Sequence, residues 1–367
     1  MRAGCRPPSC VATTVPASRR ILLVRLSHLG DVVSALPVFH TLRRAHPEAR
    51  IGWAIQEEFA GLVEGLPGLE RMFLFGRRAG LAAWTRLRAE LLDWRPDWTV
   101  DAQGNVKSAM VALTSGAARR TGLDLEDWAE RFAGHTLTDR AAPSGATHAV
   151  ERMLALCRHL GAAAGAEPSF DLGLTDAERR AGRAALAERF PRGRGPGWIL
   201  HLAAEDDVRS WPAAHYAALA RELAARGRPV LVLSGPAEAP LGRRLAAEVS
   251  SDGDIGHWVG QQGLRGLAAF FAAAAEARVR VVACDSGPAH VAAAAGAAVR
   301  LLIGPQDPAR TGPWPPPGRP GPHRVLASPD PPACMPCFAR VCAHPAGPVC
   351  MQGLEPRWVA AELAREP

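Results

Sequence analysis

Short apolar runs alternate along the chain with stretches whose apolar residues recur at helical spacing, the pattern of an α/β protein. Residues 21–26 read as a buried strand, Gly30-Asp31 as a turn, and 32–45 as a helix. Val32, Val33, Leu36, Phe39 and Leu42 share the apolar face of that helix, and Pro37 inside it should bend it or delay its regular start. Further strands are expected at 49–55, 71–75 and 98–101, with helices from Glu57, around 84–94 and over 105–115. The stretch 175–196 is polar, Arg-rich and broken by Pro and Gly, with one short helix. Beyond it the alternation restarts. Strands are expected at 198–202, 229–234, 255–258, 279–283 and 299–303, and helices at 213–226, 241–248 and 264–275. Pro and Gly make 313–322 a loop, and 355–365 reads as a closing amphipathic helix.

This pattern divides the chain into a disordered extension (1–18), a Rossmann-like domain (19–175), a linker (176–196), a second Rossmann-like domain (197–330) and a Cys-rich tail with its closing helix (331–367). Two doubly wound sheets place their strand ends at a shared cleft, where ligands of such sheets bind. No stretch of about 18 apolar residues lacks charges, so no membrane span is expected. Residues 1–18 lack the apolar core of a secretory signal, which points to the cytoplasm.

Apolar residues make up 48% of the chain, enough for globular folding without extensive disorder. The net charge of +7 suits anionic partners. No basic stripe with interleaved aromatics occurs, so nucleic acid is not indicated. Arginine is abundant, yet Lys107 is the only lysine and Asn105 the only asparagine. A lysine that persists in such a composition suggests a site that needs a compact ammonium. Of eight cysteines, Cys334, Cys337, Cys342 and Cys350 cluster near the end. Cys-x-x-Cys is a zinc-ligand spacing and His344 is close, but the remaining spacings match no zinc module, which favours reduced thiols.

The residues that carry chemistry fall where strands give way to helices. Asp31 follows the first strand; a single glycine in that turn argues against dinucleotide binding. Asp31 is either an N-cap or a general base facing the cleft, although a helix N-terminus lowers its basicity. Lys107, where the strand 98–101 gives way to the helix 105–115, suits a carboxylate or phosphate of an acceptor, and Arg119 and Arg120 would extend that basic surface. Arg209 could clamp a diphosphate, or pair with Asp206 or Asp207. Asp285, Ser286 and Gly287 open a small-residue helix whose N–H groups form an anion site. His290, by itself, is more often a packed histidine than a catalyst. The loop 304–308 lines the same cleft.

Taken in order, these segments resemble the heptosyltransferase family of lipopolysaccharide core assembly, inverting transferases with the GT-B fold. The resemblance rests on Leu-Gly-Asp (29–31), Asp-Ala-Gln-Gly-x-x-Lys-Ser (101–108), Trp-Pro (211–212), Leu-Ser-Gly-Pro-Ala-Glu (233–238), Asp-Ser-Gly-Pro-x-His (285–290), Gly-Pro-x-Asp-Pro (304–308) and Cys-x-Pro-Cys-Phe (334–338). It implies Asp31 as general base, with Asp285, Ser286, Gly287 and His290 at the donor sugar and diphosphate. It implies Glu238 on the donor ribose and Lys107 toward the acceptor. Arg209 stands where the family commonly has a phosphate-binding lysine, and Ala203 and Ala204 stand where hydroxyl residues are usual. The implied partners are an ADP-activated heptose and a lipid A–core acceptor, either Kdo-lipid A or heptosyl-Kdo-lipid A. A monomer in peripheral contact with the inner face of the inner membrane is expected, with no metal or cofactor. The alternatives are a related transferase using another nucleotide sugar, a sugar-nucleotide epimerase, and a non-catalytic nucleotide-sugar binding protein.

Overall fold

A computed structural model describes residues 20–76, 80–191, 197–249, 255–260 and 262–366. The expected extension 1–18 lies outside the described residues. The first domain runs β1 (Arg20–Val24), α1 (Leu29–Ala45), β2 (Arg50–Gln56), α2 (Glu57–Val63), β3 (Leu69–Phe75), α3 (Gly80–Trp94), β4 (Trp98–Asp101), α4 (Val106–Thr114), β5 (Arg119–Gly122), β6 (Asp139–Arg140) and α5 (Ala149–His159). Helix α6 (Asp176–Arg189) leads into the second domain. That domain runs β7 (Trp198–His201), α7 (Ala213–Ala225), β8 (Val230–Ser234), α8 (Ala239–Val249), β9 (Ile255–Val259), α9 (Gly263–Glu276), β10 (Arg280–Cys284), α10 (Gly287–Ala294) and β11 (Val299–Ile303). It ends with α11 (Pro308–Thr311), β12 (Arg324–Ala327), α12 (Val349–Gln352) and α13 (Pro356–Ala364).

Each domain has a six-stranded sheet, ordered β3-β2-β1-β4-β5-β6 and β12-β11-β10-β7-β8-β9. All the pairings are parallel. Counted from each domain's first strand, both sheets have the same doubly wound order. Strand direction of progress reverses between β1 and β4 in the first sheet and between β7 and β10 in the second, so a crevice opens at the carboxyl ends of those four strands. Strands covered on both faces need apolar residues throughout. The all-buried runs of β7, β8 and β11 meet that requirement.

Helices α1 and α5 cover one face of the first sheet, and α1 packs directly on α10 of the second domain. Buried Val33, Leu36 and Phe39 therefore belong to the same apolar core as Ala289 and Val291. Helices α3 and α4 cover the opposite face of the first sheet, and α7 and α13 that of the second. Helix α1 starts at Leu29, earlier than expected, and continues through Pro37. Its buried face, held between α5 and α10, tolerates the missing proline N–H.

The stretch expected as linker is mostly α6, 14 residues opened by a capping box of Thr175 and Glu178. It packs on α9 at Gly182, where a Cβ would come 2.2 Å from the Ala269 carbonyl oxygen. The crossover itself is held by Arg265 of α9. Its guanidinium pairs with Glu178 and donates to the carbonyls of Glu64, Leu172 and Gly173, so one cation ties together both domains and the connecting segment.

Candidate active site

The four loops at the crevice are 25–28 after β1, 102–105 after β4, 202–209 after β7 and 285–286 after β10. They coincide with the four candidate turns of the sequence. A cavity of about 440 Å³ lies at the loops after β1, β7 and β10, lined from the first domain by His28, Gly30, Asp31 and Ser34, and from the second by Arg209, Asp285, Ser286, His290 and Thr311. A second cavity of about 500 Å³ continues into the second domain and shares Ser286 and Pro288 with the first. Leu202, Leu233, Pro236, Trp258 and Leu264 give it an apolar lining, with Glu238 on its wall.

Asp31 sits in the first turn of α1 with its side chain 37% exposed to the first cavity. Its Oδ2 accepts from Arg25 at 2.6 Å and lies 3.4 Å from Nδ1 of His28. Burial alone would raise its pKa, but the charge of Arg25 and the contacts with His28 outweigh burial and bring it from 3.8 to about 2. Arg25 is buried and also donates to the Ala102 carbonyl at 2.5 Å. His28 has φ 63° and ψ 123°, a conformation that strains any residue with a Cβ. That turn brings Leu29 against Gly287.

The motif at 101–108 forms the scaffold for this loop. Oδ1 of the buried Asp101 accepts from the N–H groups of Gln103 and Gly104. Burial pushes the Asp101 carboxyl up, and those N–H bonds oppose it. The side-chain oxygen of Gln103 then accepts from Leu26 at 2.6 Å and Ser27 at 3.3 Å, which staples the β4 loop to the β1 loop. Gly104 has φ +76°, and Asn105 caps α4 reciprocally with Ser108. The unique asparagine is thus a helix cap.

Across the cavity, Asp285 is buried; Thr311 Oγ1 donates to it at 2.9 Å, and His290 Nε2 is 3.6 Å away. Ser286 caps α10 in extended conformation, and its buried hydroxyl has no partner among the described residues. Two glycines permit the domains to close here. A Cβ on Gly30 would lie 2.6 Å from the His290 ring, and one on Gly287 would lie 2.6 Å from the Leu29 Cβ. Arg209 faces the cavity and forms a two-pronged pair with Asp207, at 2.9 Å through Nε and 2.6 Å through the terminal nitrogen. Of the two sequence readings of Arg209, the pair with Asp207 is present, and the guanidinium also faces the cavity.

Two expectations change. Arg119 and Arg120 open β5 opposite Trp98 and Thr99, the amino edge of the sheet and its far end from Asp31. Arg119 stacks 4.1 Å over Trp98 and pairs with Asp139, while Arg120 donates to the carbonyls of Ala117 and Thr136. Both serve the sheet and drop out of the acceptor surface. Lys107 is exposed in the first turn of α4 and lines neither cavity. Two residues escaped the sequence reading: Arg25, and Arg152 of α5. The half-buried guanidinium of Arg152 has no direct partner among the described residues and feels the charges of Asp127, Arg310, Arg25 and Asp31. Burial draws its pKa below the ordinary arginine value. Its position one turn into α5, behind Ala149 at the cavity wall, was the available signal.

The tail cysteines lie elsewhere. Cys334 and Cys337 are exposed, Cys350 is buried, and the Cys342 thiol donates to the Gly347 carbonyl. Among the described residues no three His, Cys, Asp or Glu side chains come together as a metal site. Nor is any helix among them long and apolar enough to cross a membrane.

Residues 84–344 match the sequence profile of glycosyltransferase family 9 (heptosyltransferase). The chain belongs to this family. Lipopolysaccharide heptosyltransferase 1 of Pseudomonas aeruginosa is 29% identical over 304 residues, 80% of this chain and 81% of that protein. The enzyme of the same name from Escherichia coli K12 is 28% identical over 308 residues, 80% and 90% of the two chains. Among solved structures, E. coli heptosyltransferase WaaC with ADP superposes with a TM-score of 0.69 at 23% identity, covering 94% of this chain and 99% of that one. E. coli ADP-heptose lps heptosyltransferase II gives 0.70 at 21% identity, covering 94% and 97%. The glycosyltransferase fold is the two-domain GT-B architecture expected from the sequence.

Proposed function

We propose that this family 9 glycosyltransferase moves a heptose from ADP-heptose to the lipopolysaccharide inner core, by one in-line displacement with inversion. The observation that carries the proposal is the continuity of the two cavities at Ser286 and Pro288. An apolar slot suits the adenine, the start of α10 suits the diphosphate, and the chamber opposite holds Asp31. The related lipopolysaccharide heptosyltransferases and the WaaC complex with ADP support the choice of donor.

In this mechanism the acceptor hydroxyl approaches from the Asp31 side. Its oxygen bonds to the anomeric carbon as the bond from that carbon to the diphosphate oxygen breaks. The electron pair leaves on the β-phosphate, stabilised by Arg209 and the N–H groups of Ser286 and Gly287. Asp31 accepts the hydroxyl proton as the new bond forms. A carboxylate with a pKa near 2 is a weak base, so transfer is late, when the attacking oxygen has become acidic. Glu238 holds the ribose, and Asp285 with His290 holds the sugar. Arg152, behind Ala149 at the cavity wall, takes an anionic group of the acceptor. The acceptor is lipid-linked, so the enzyme works as a peripheral protein on the inner face of the inner membrane.

ADP release is measured with ADP-heptose against Kdo-lipid A and heptosyl-Kdo-lipid A, with GDP- and UDP-sugars as competing donors. Release that needs both ADP-heptose and one core acceptor supports the proposal. Release with another nucleotide sugar alone, or tight donor binding with no release, points to the related transferase or the binding protein.

A further inference from the structure

The reaction above leaves His148 without a role. It caps α5, is buried, and lines neither cavity. Both of its ring nitrogens are engaged. Nδ1 accepts from the Val150 N–H at 3.2 Å, and Nε2 lies 3.0 Å from the Gly312 carbonyl oxygen of the second domain. A carbonyl only accepts and an N–H only donates, so the ring is the neutral tautomer with its proton on Nε2. Burial favours that form, drawing the pKa below the ordinary histidine value. The Trp314 ring packs beside it at 5.5 Å between centroids. Glu151, one turn further along α5, pairs with Arg319. That pair is largely open to solvent and holds the segment weakly. The bond from His148 is the stronger tie, because losing it strands a buried carbonyl.

Gly312 follows directly on Thr311, the residue that donates to Asp285. The Gly312 N–H donates to the Pro308 carbonyl at 2.9 Å, so 308–312 is one hydrogen-bonded turn. The Thr311 hydroxyl has one proton and two acceptors within reach. Oδ2 of Asp285 is 2.9 Å away, and the Asp307 carbonyl, four residues back, is 3.4 Å away. The second is the ordinary back-bond of a helical threonine. The placement of the turn decides between them, and with Gly312 fastened to His148 the shorter bond goes to Asp285. The other oxygen of Asp285 faces His290, whose ring lies against Gly30 of α1. Both oxygens of this carboxylate thus face side chains braced by the first domain.

We propose that His148 is a positioning residue of the donor site: its bond to Gly312 sets the 308–312 turn so that Thr311 holds Asp285 toward the donor sugar. It acts across the domain interface without touching substrate. The proposal rests on the reading of Asp285 as the carboxylate that holds the sugar of ADP-heptose. The two ring nitrogens are tested apart. In His148→Asn the side-chain oxygen still caps α5, but no donor reaches Gly312. In His148→Gln the longer amide reaches Gly312 and the cap is weakened. Calorimetry on the full chain measures the binding of ADP-heptose and of ADP to each variant. His148→Asn should bind ADP as the wild type does, which shows that the second domain is intact. It should bind ADP-heptose at least about fivefold more weakly. Thr311→Val should do the same, and the double variant should be no weaker than the weaker single one, because both break one chain of contacts. His148→Gln should restore ADP-heptose affinity. Wild-type affinity for ADP-heptose in His148→Asn, or an equal loss for ADP, overturns the proposal. So do additive losses in the double variant, or a His148→Gln protein as weak as His148→Asn. Asp285→Asn tests the underlying reading separately. If it leaves ADP-heptose binding intact, the sugar role of Asp285 fails and the proposal falls with it, whatever the His148 variants do.

Discussion

At the scale of single residues the proposed reaction turns on one carboxylate and the cation that holds it. Asp31 is ionised far below neutral pH because Arg25 and His28 outweigh the cost of burial. Replacing Arg25 by Met reverses that balance. Burial then dominates, and the Asp31 pKa should rise above its ordinary value. A base acts only when ionised, so activity is lost as pH falls through its pKa. With Asp31 as the proposed base, that loss should come in the wild type only near pH 2, below the range of ordinary assays. In Arg25→Met the acid limb of kcat/KM should move up by at least about one pH unit; an unmoved limb would mean that Arg25 does not set the base. Asp31 was legible because it follows a strand and a lone glycine. Arg25 was not, since it reads as the polar end of a buried strand and its partners come from the β4 loop and α1. Arg152 was missed for a related reason, as its surroundings are set by charges brought in from three distant segments, around 25–31, 127 and 310.

At the scale of elements, the decisive feature is how closely α1 and α10 meet end to end. Gly287 has an ordinary negative φ, so its need is for space and not for backbone freedom. Gly287→Ala should force Leu29 and the α10 turn apart, at a cost of about 1–3 kcal/mol. ADP-heptose turnover should fall more than ADP binding, which needs only the second domain; titration calorimetry beside kinetics separates the two. The cap of α4 gives a contrasting case. Asn105→Ala should destabilise the protein by about 1 kcal/mol, read as a lower melting temperature, with ADP affinity retained. Most strands and helices were readable from apolar periodicity. The exceptions were β5 and β6, four and two residues of polar sequence, and β12, which follows a Pro-Gly loop. Such short strands are fixed by the neighbour they pair with. Helix α5 has the helical spacing of Val150, Met153 and Leu156 and was legible in principle.

At the scale of the whole molecule, two similar sheets are joined at a cleft by a crossover that Arg265 fastens. The hydrogen bond from Arg265 lowers the Glu178 pKa to about 2, ahead of the opposing effect of burial. A folded-state pKa below the ordinary value stabilises the native protein above about pH 4.5, and that contribution disappears as pH falls toward 2. Arg265→Ala should remove this acid dependence and loosen the domains. A single thermal transition should become two, or broaden, in calorimetry. The sequence displayed the two alternating α/β runs but not the clasp, because its carbonyl acceptors carry no side-chain signature. The central claim is that Asp31 activates the acceptor across the cleft from a donor held by the second domain. It is tested most directly by turnover and ADP affinity of Asp31→Asn, measured on the same preparation. The expected result is turnover lower by roughly 10²–10⁴-fold with ADP bound as in the wild type. Near wild-type turnover in Asp31→Asn would contradict it.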